Sequence, residues 1–136
     1  MRAQAGEGHD VSYFFAGRHY PKVGPRLRRW RSGELRMFEL LSTRIHTHWT
    51  RGTRHPLMDL AEPTAERAFA SVLQEVRPDV VHAHELAGLP SSVLAQAKAA
   101  GAAVVMTMHD YTPLCASVRL VDADGGHCLR REVGED

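Results

Sequence analysis

The stretch "RPDVVHAHELAGLPSSVLAQAKAAGAAVVMTM" (residues 77–108) decides the fold. It holds two short apolar runs, VVHAH (80–84) and AVVMTM (103–108), and each has the length and composition of a buried strand. Residues 91–100 between them are predicted to form a helix with one apolar face and with Gly101 as its C-terminal cap. A strand, a helix and a strand joined by short links predict a βαβ unit with parallel strands.

The flanking segments extend this pattern. "VSYFFA" (11–16) and "ELRMFELLS" (34–42) are predicted strands, and residues 64–76 are a predicted helix with apolar side chains at three-and-four spacing. Residues 17–33 are predicted to be a loop, because they hold prolines, glycines and many arginines. Residues 43–62 show no clear period. Strands that are apolar on both faces predict an α/β fold with a parallel sheet covered by helices on both sides.

The length and the composition of the chain limit the classes of protein to which it can belong. The 136 residues suffice for at most one domain, and 43% hydrophobic and 24% charged residues are typical of soluble globular proteins. No window approaches the roughly 18 apolar residues of a membrane span, and "MRAQAGEGHD" lacks the apolar stretch of a secretory signal. Two cysteines, Cys115 and Cys128, are too few for a disulfide scaffold, so a reducing cytoplasm is the expected location.

Positive charge is concentrated in one region. Residues 17–54 hold ten Lys and Arg against two Glu, a local net charge of +8, while the remainder carries −7. The densest part is "RLRRWR" (26–31). A solvated loop is one interpretation, and contact with phosphate of nucleic acid or of an anionic membrane is another. No nucleic-acid-binding motif stands beside it, so nucleic acid is not an expected partner. The residues of a membrane contact would be Arg26, Arg28, Arg29, Trp30 and Arg31.

Titratable side chains follow the two strands of the βαβ unit. His84 and Glu85 close the first strand, and His109 and Asp110 close the second. Since ligands of open α/β sheets bind outside the carboxyl ends of the strands, these side chains are expected at one rim. His82 lies two residues before His84 and is expected on the same side of the sheet.

Three interpretations of this rim compete. Hydrogen-bonded or capping histidines without chemistry are the first, above all for His82. A polar substrate site is the second, in which His109 and Asp110 hold hydroxyls or stabilise developing charge. Zinc is the third, although twelve residues separate the two cysteines and no C-x-x-C pair is present. Its ligands would come from His82, His84, His109, Cys115 and Cys128.

Two motifs together resemble a known family. "RPDVVHAHE" (77–85), followed about twenty residues later by "VVMTMHDYTPLC" (104–115), resembles the amino-terminal domain of the family 4 (group 1) retaining glycosyltransferases. "AGEGHDVSYF" (5–14) is similar to the end of that family's first helix and its second strand. The resemblance implies that residues 1–136 are a Rossmann-like, acceptor-side domain of a GT-B enzyme.

The resemblance also implies roles for individual residues. His109 matches the histidine of the family's T-x-H-D strand end, beside the transferred sugar, and is the expected catalytic residue. His84 and Glu85 match the acceptor-side strand end, and Asp110 and Tyr111 belong to the same motif as His109. These four are expected to bind substrate. Neither a metal nor a cofactor is implied.

The expected function follows from what the family pattern includes and this sequence lacks. A family member has a further strand with a glycine-rich loop ahead of Met1, and a carboxyl-terminal donor domain. The sequence is therefore expected to be a fragment of a glycosyltransferase that moves a sugar from a nucleotide-sugar to a hydroxyl acceptor, with retention of configuration. The acceptor could be lipid-linked and the protein peripheral to the inner face of the membrane. Alone, the fragment is expected to be inactive and marginally stable. The alternative is a non-catalytic α/β subunit that docks on a separate donor-domain partner through exposed strand edges.

Overall fold

The computed structural model describes residues 2–20, 22–45, 56–109, 111, 120–121 and 125–126. Its elements, in chain order, are α1 (Arg2–Gly6), β1 (Ser12–Ala16), β2 (Arg26–Ser32), β3 (Leu35–Leu41), α2 (Pro56–Leu60), α3 (Pro63–Val76), β4 (Val80–Ala83), α4 (Ser92–Ala99) and β5 (Ala103–Met106).

The βαβ unit forms as predicted. β4 and β5 pair in parallel, with Val80 opposite Ala103 and Ala83 opposite Met106, and α4 connects them. Gly101 follows α4 with a φ of +91°, and its N–H donates to Lys98 O at 3.0 Å. A positive φ at this place is the usual reason for a glycine after a helix, so the predicted C-terminal cap is confirmed.

A second sheet has the order β1-β3-β2. β1 and β3 are parallel, and they confirm the strands predicted at 11–16 and 34–42. β2 pairs antiparallel with β3, so the predicted loop at 17–33 is wrong over Arg26–Ser32. The strand forms because Gly33 and Glu34 close a two-residue hairpin, and Gly33 has the positive φ (+62°) that such turns need at their first position.

Helix α3 also forms as predicted. Pro63 occupies its first turn, and the carboxylate of Glu62 accepts a hydrogen bond from the Ala65 N–H at 2.7 Å. One face is buried, through Ala65, Phe69, Val72 and Leu73. The preceding short helix α2 lies in the segment 43–62, for which the sequence pattern predicted no element.

One of the apolar clusters packs against strands of both sheets. Phe69 and Leu73 of α3 pack with Val93 and Ala97 of α4. The strand residues that pack against this cluster are Phe14, Val81 and Val104, from β1, β4 and β5. Both sheets are therefore anchored to the same two helices.

Helices cover one face of β4 and β5 in the described part of the chain, whereas the sequence predicted helices on both faces. Val80 and Val105 are 56% and 48% exposed, while their neighbours Val81 and Val104 are partly buried against the helices. Alternation of side chains along a strand separates the two sets. This detail of the prediction is corrected, and the α/β class with parallel strands and flanking helices is confirmed.

The loop after β4 brings several strand ends together. Gly88 in this loop lies so close to Ala16, the last residue of β1, that an added Cβ would be 2.7 Å from the Ala16 Cβ. The Thr43 hydroxyl, two residues after β3, donates to the Gly88 carbonyl at 2.8 Å. The carboxyl ends of β1, β3 and β4 thus lie on one side of the molecule.

Among the described residues, no helix combines the length and the apolar character needed to cross a bilayer.

Candidate functional site

Three histidines form a row at the carboxyl ends of β4 and β5. We call His82, His84 and His109 the histidine row. The rings of His82 and His84 have centroids 4.1 Å apart, which confirms that both project from the same side of the sheet. His82 Nε2 lies 2.8 Å from the hydroxyl of Thr107, just after β5. This bond ties the first ring of the row to the neighbouring strand.

His84 and His109 meet at the rim. Nδ1 of His84 lies 3.4 Å from Nε2 of His109, and the two rings are stacked with centroids 5.7 Å apart. Because a hydrogen bond between two ring nitrogens needs one proton and one lone pair, one ring donates and the other accepts. The other nitrogen of each ring, His84 Nε2 and His109 Nδ1, is not used by this bond. The proximity expected for parallel strand ends is confirmed for this pair.

The pKa of His84 lies below its ordinary value. Loss of solvent around the ring, followed by repulsion from His82 and from His109, holds the pKa of His84 below its ordinary value. At neutral pH the ring is therefore neutral and carries a lone pair that can accept a hydrogen bond.

The other residues predicted for the site are spread more widely. Glu85 is exposed and lies beside His84 at the rim. Tyr111 exposes 51% of its surface. Asp110 lies outside the described residues, as do Cys115 and Cys128. Within the described ranges, no three His, Cys, Asp or Glu side chains are grouped in a way that could hold a metal ion.

A cleft of about 540 Å³ opens beside the histidine row. One wall is β1, the opposite wall is β4, and α3 contributes the apolar side chains Phe69 and Leu73. His84, Glu85 and His109 line the same cleft. Its volume lies within the range of small-molecule and cofactor sites. The arrangement is an apolar cleft with convergent polar groups, which can bind a ligand that has hydroxyls at one end.

The arginine-rich segment is a strand, and its side chains are largely engaged. The Arg28 guanidinium forms an ion pair with the buried Glu39 and lies 4.5 Å from the centre of the Trp30 ring. Arg29 pairs with Glu75 of α3 at 3.1 Å. The loop proposed for 26–31 is therefore wrong, although about half of the Arg28 and Arg29 side-chain surface remains exposed to solvent.

Strand alternation also divides the basic patch. It places Arg26, Arg28 and Trp30 on one face of β2, and Arg29 and Arg31 on the other. The expected membrane contact used all five residues as one surface. Such a contact would require both faces of β2 to meet the membrane at the same time. A contact through one face stays a prediction, which co-sedimentation with anionic vesicles would test.

Sequence reasoning missed two polar residues. Thr107 holds His82, and no signal in the sequence pointed to it, because its place two residues after Val105, the partner of His82, depends on the register of β4 and β5. Glu39 is only 5% exposed, and Gly17 leaves room for it, since a Cβ on that glycine would overlap the Glu39 side chain. An acidic residue inside the apolar run "MFELL" was the available signal.

Parallel strands with polar side chains at their carboxyl ends are the arrangement in which α/β domains commonly bind ligands. A family model described as a glycosyl transferase 4-like domain matches residues 1–133, nearly the whole chain. The chain therefore belongs to this glycosyltransferase family, and the resemblance seen in its two motifs is confirmed. No curated protein and no solved structure gives a significant match.

Proposed function

We propose that the histidine row and Glu85 form the acceptor and sugar site of a glycosyltransferase. The observation that carries the proposal is the His84–His109 pair, 3.4 Å apart at the mouth of an apolar cleft, in a chain of this family. The reaction transfers a sugar from a nucleotide-sugar to a hydroxyl acceptor with retention of configuration. The bond from the anomeric carbon to the donor phosphate breaks, and a bond to the acceptor oxygen forms. The acceptor proton leaves with the nucleoside diphosphate.

Each rim side chain has a role that suits its chemistry. Neutral His84 accepts a hydrogen bond from the acceptor hydroxyl, and the Glu85 carboxylate accepts another. His109 contacts the transferred sugar and stabilises the charge that develops at the anomeric centre. The hydrogen bond between the stacked rings of His84 and His109 supports these separate roles, because it fixes the orientation of both rings.

We expect no turnover by the 136-residue chain alone. The rim offers two imidazoles and a carboxylate, which suit hydroxyl groups. A departing diphosphate needs backbone N–H groups or cations, and these are expected from the glycine-rich loop and the donor domain of the family pattern. An assay for nucleoside diphosphate release from UDP-glucose and from GDP-mannose, with simple methyl glycosides as acceptors, tests this. Detectable transfer would show that the chain is a complete enzyme.

Binding at the rim is tested separately. Methyl glucoside, methyl mannoside and methyl galactoside are titrated into the isotope-labelled chain, and histidine ring resonances are followed by NMR. We expect shifts at His84 and His109 that disappear in His109→Ala and weaken in His84→Gln. His9→Gln serves as the matched control, because His9 is exposed and lies in the turn before β1. Shifts that leave the rim unaffected, with every glycoside, would contradict the proposed site.

A non-catalytic subunit that docks on a donor-domain partner is the second candidate. The observation that favours it is that, among the described strands, none pairs with β1 on the side away from β3 or with β4 on the side away from β5. Co-purification of the chain with a donor-domain protein would support it, and a stable monomer at high concentration would count against it.

A further inference from the structure

Two ring nitrogens at the rim lie at a distance that suits a shared metal ion. Nδ1 of His84 and Nε2 of His109 are 3.4 Å apart. Zinc binds histidine nitrogens at about 2.0–2.1 Å in tetrahedral geometry, which places two ligand nitrogens about 3.3–3.4 Å from each other. The observed distance is long for a hydrogen bond, since N–H donors usually lie about 2.7–3.2 Å from their oxygen acceptors. The spacing of the pair therefore matches two ligands of one tetrahedral ion.

The pair is open to solvent and is separate from the third ring of the histidine row. His84 directly follows β4 and His109 lies three residues after β5, so the pairing of these strands brings the two rings together. Both side chains are exposed, and a hydrated ion can therefore reach them. Nε2 of His82 is engaged by the Thr107 hydroxyl at 2.8 Å. Within the part of the chain that the structure describes, no third His, Cys, Asp or Glu completes a metal-binding group, so water would fill the other positions around the ion.

The ligand atoms indicate which ions would bind. Imidazole nitrogens suit Zn²⁺, Cu²⁺ and Ni²⁺, whereas Mg²⁺ and Ca²⁺ prefer oxygen ligands. Structural zinc sites use four protein ligands and contribute to folding. Two ligands from the protein, with water in the remaining positions, are instead typical of an ion that enters and leaves a folded protein.

We propose that His84 and His109 form a reversible site for zinc and similar divalent ions, and that the bound ion inhibits acceptor binding. The metal site is independent of the sugar chemistry, and the inhibition rests on the function proposed above. In that function, His84 Nε2 accepts the acceptor hydroxyl, so the proton of the neutral ring is on Nδ1 and is donated to His109. When Nδ1 binds the ion, two waters leave the ion, and the proton moves to Nε2 by exchange with solvent. Nε2 then donates and no longer accepts the hydroxyl.

The metal site is tested with zinc chloride and the isotope-labelled 136-residue chain at neutral pH. The ring nitrogen resonances of the histidines are followed by NMR. We expect His84 Nδ1 and His109 Nε2 to take the shifts of metal-bound nitrogens, and His84 Nε2 to take the shift of a protonated nitrogen. Magnesium chloride is the control ion and should move none of them. Zinc that leaves both rings unaffected, or equal shifts with magnesium, would overturn the proposal.

Two variants test whether the rings act as a pair. His84→Gln is followed at the His109 ring, and His109→Gln at the His84 ring. We expect half-saturation of the remaining ring to need about tenfold more zinc or higher, because loss of even an outer-shell partner of a metal costs about 10–100-fold in affinity. His9→Gln is the matched control and should bind zinc as the unmodified chain does, since His9 is exposed in the turn before β1. Unchanged affinity of the remaining ring would contradict chelation. If a variant does not fold, the titration of the unmodified chain decides the question.

The inhibition is tested by repeating the titration with methyl mannoside after zinc has saturated the two rings. We expect the shifts that the glycoside causes at the rim to disappear, and to return when EDTA removes the ion. Unchanged glycoside binding beside bound zinc would overturn the inhibition and leave the metal site in place. Absence of glycoside binding to the zinc-free chain would contradict the proposed acceptor site and the inhibition with it, whereas the zinc titration would still decide the metal site.

Discussion

Two imidazole rings that share a hydrogen bond determine the chemistry of the rim. His84 and His109 come from different strands and meet only because β4 and β5 are parallel and end at the same level. Their proximity was predictable from the sequence, since each follows an apolar run that reads as a strand. The bond between His82 and Thr107 was not, because it depends on the register of two strands, which the sequence pattern does not reveal.

The lowered pKa of His84 leads to a prediction about its neighbour. Repulsion from His109 is one of the causes of the shift, so His109→Gln should raise the pKa of His84 toward its ordinary value. An NMR titration of the His84 ring protons measures this directly. His9→Gln should leave the titration unchanged. An unaltered His84 pKa in His109→Gln would mean that repulsion from His109 does not contribute to the shift.

The same shift has a consequence for stability. The pKa of His84 is lower in the folded state, so the unfolded chain binds the extra proton more readily. Its contribution to stability is present above the unfolded pKa of about 6.5 and is lost as pH falls through the folded pKa. We expect the urea midpoint to fall on acidification below about pH 6.5, and His84→Gln to show a smaller fall.

At the scale of elements, β2 shows where sequence reasoning failed. Prolines, glycines and arginines in residues 17–33 are typical of a loop, yet Arg26–Ser32 is a strand. The strand depends on its partner β3 and on ion pairs to Glu39 and Glu75, which are contacts distant in sequence. A local signal was available in Gly33, two residues before the apolar run of β3. The other strands and the helices α3 and α4 carry their own apolar periodicity and were predictable for that reason.

The loop between β4 and α4 depends on Gly88. Alanine there would have to adopt a φ of +75° and place its Cβ 2.7 Å from that of Ala16. Gly101→Ala is the matched control, because its φ is +91° and no atom lies within 4 Å of the added Cβ. The backbone strain of about 1–2 kcal/mol is common to both, and overpacking adds about 1–3 kcal/mol for Gly88→Ala. Urea denaturation should show the larger loss in Gly88→Ala, and equal losses would mean that the contact with Ala16 relaxes freely.

At the scale of the whole molecule, the shared cluster couples the two sheets. Phe14 from one sheet and Val81 from the other pack on the same residues of α3 and α4. The chain should therefore unfold in one transition, although no described strand pairs across the cleft. Amide signals from β3 and from β5, measured by NMR, would follow the two sheets separately. Two resolved midpoints would show that each sheet folds with its own helix.

Phe69 is the residue on which this coupling depends most. It is 6% exposed, and its ring centroid lies 5.1 Å from that of Phe14. Phe69→Ala should cost about 3–5 kcal/mol and destabilise both sheets together. Against a total of about 5–15 kcal/mol for ordinary domains, this loss could unfold the chain. Val105→Ala, on the exposed face of β5, is the control and should cost less than about 1 kcal/mol.

The composition of β2 also affects how separate copies of the molecule meet. Among the described strands, β2 is the outermost of its sheet, and four of its seven residues are arginine. Two such strands side by side would lie about 5 Å apart and bring guanidinium groups of like charge together. Self-pairing along this side is therefore repulsive, and the repulsion weakens as salt screens it. The arginines of β2 thus disfavour aggregation through edge-to-edge pairing of this strand. This protection is expected to be stronger at low ionic strength than at high ionic strength.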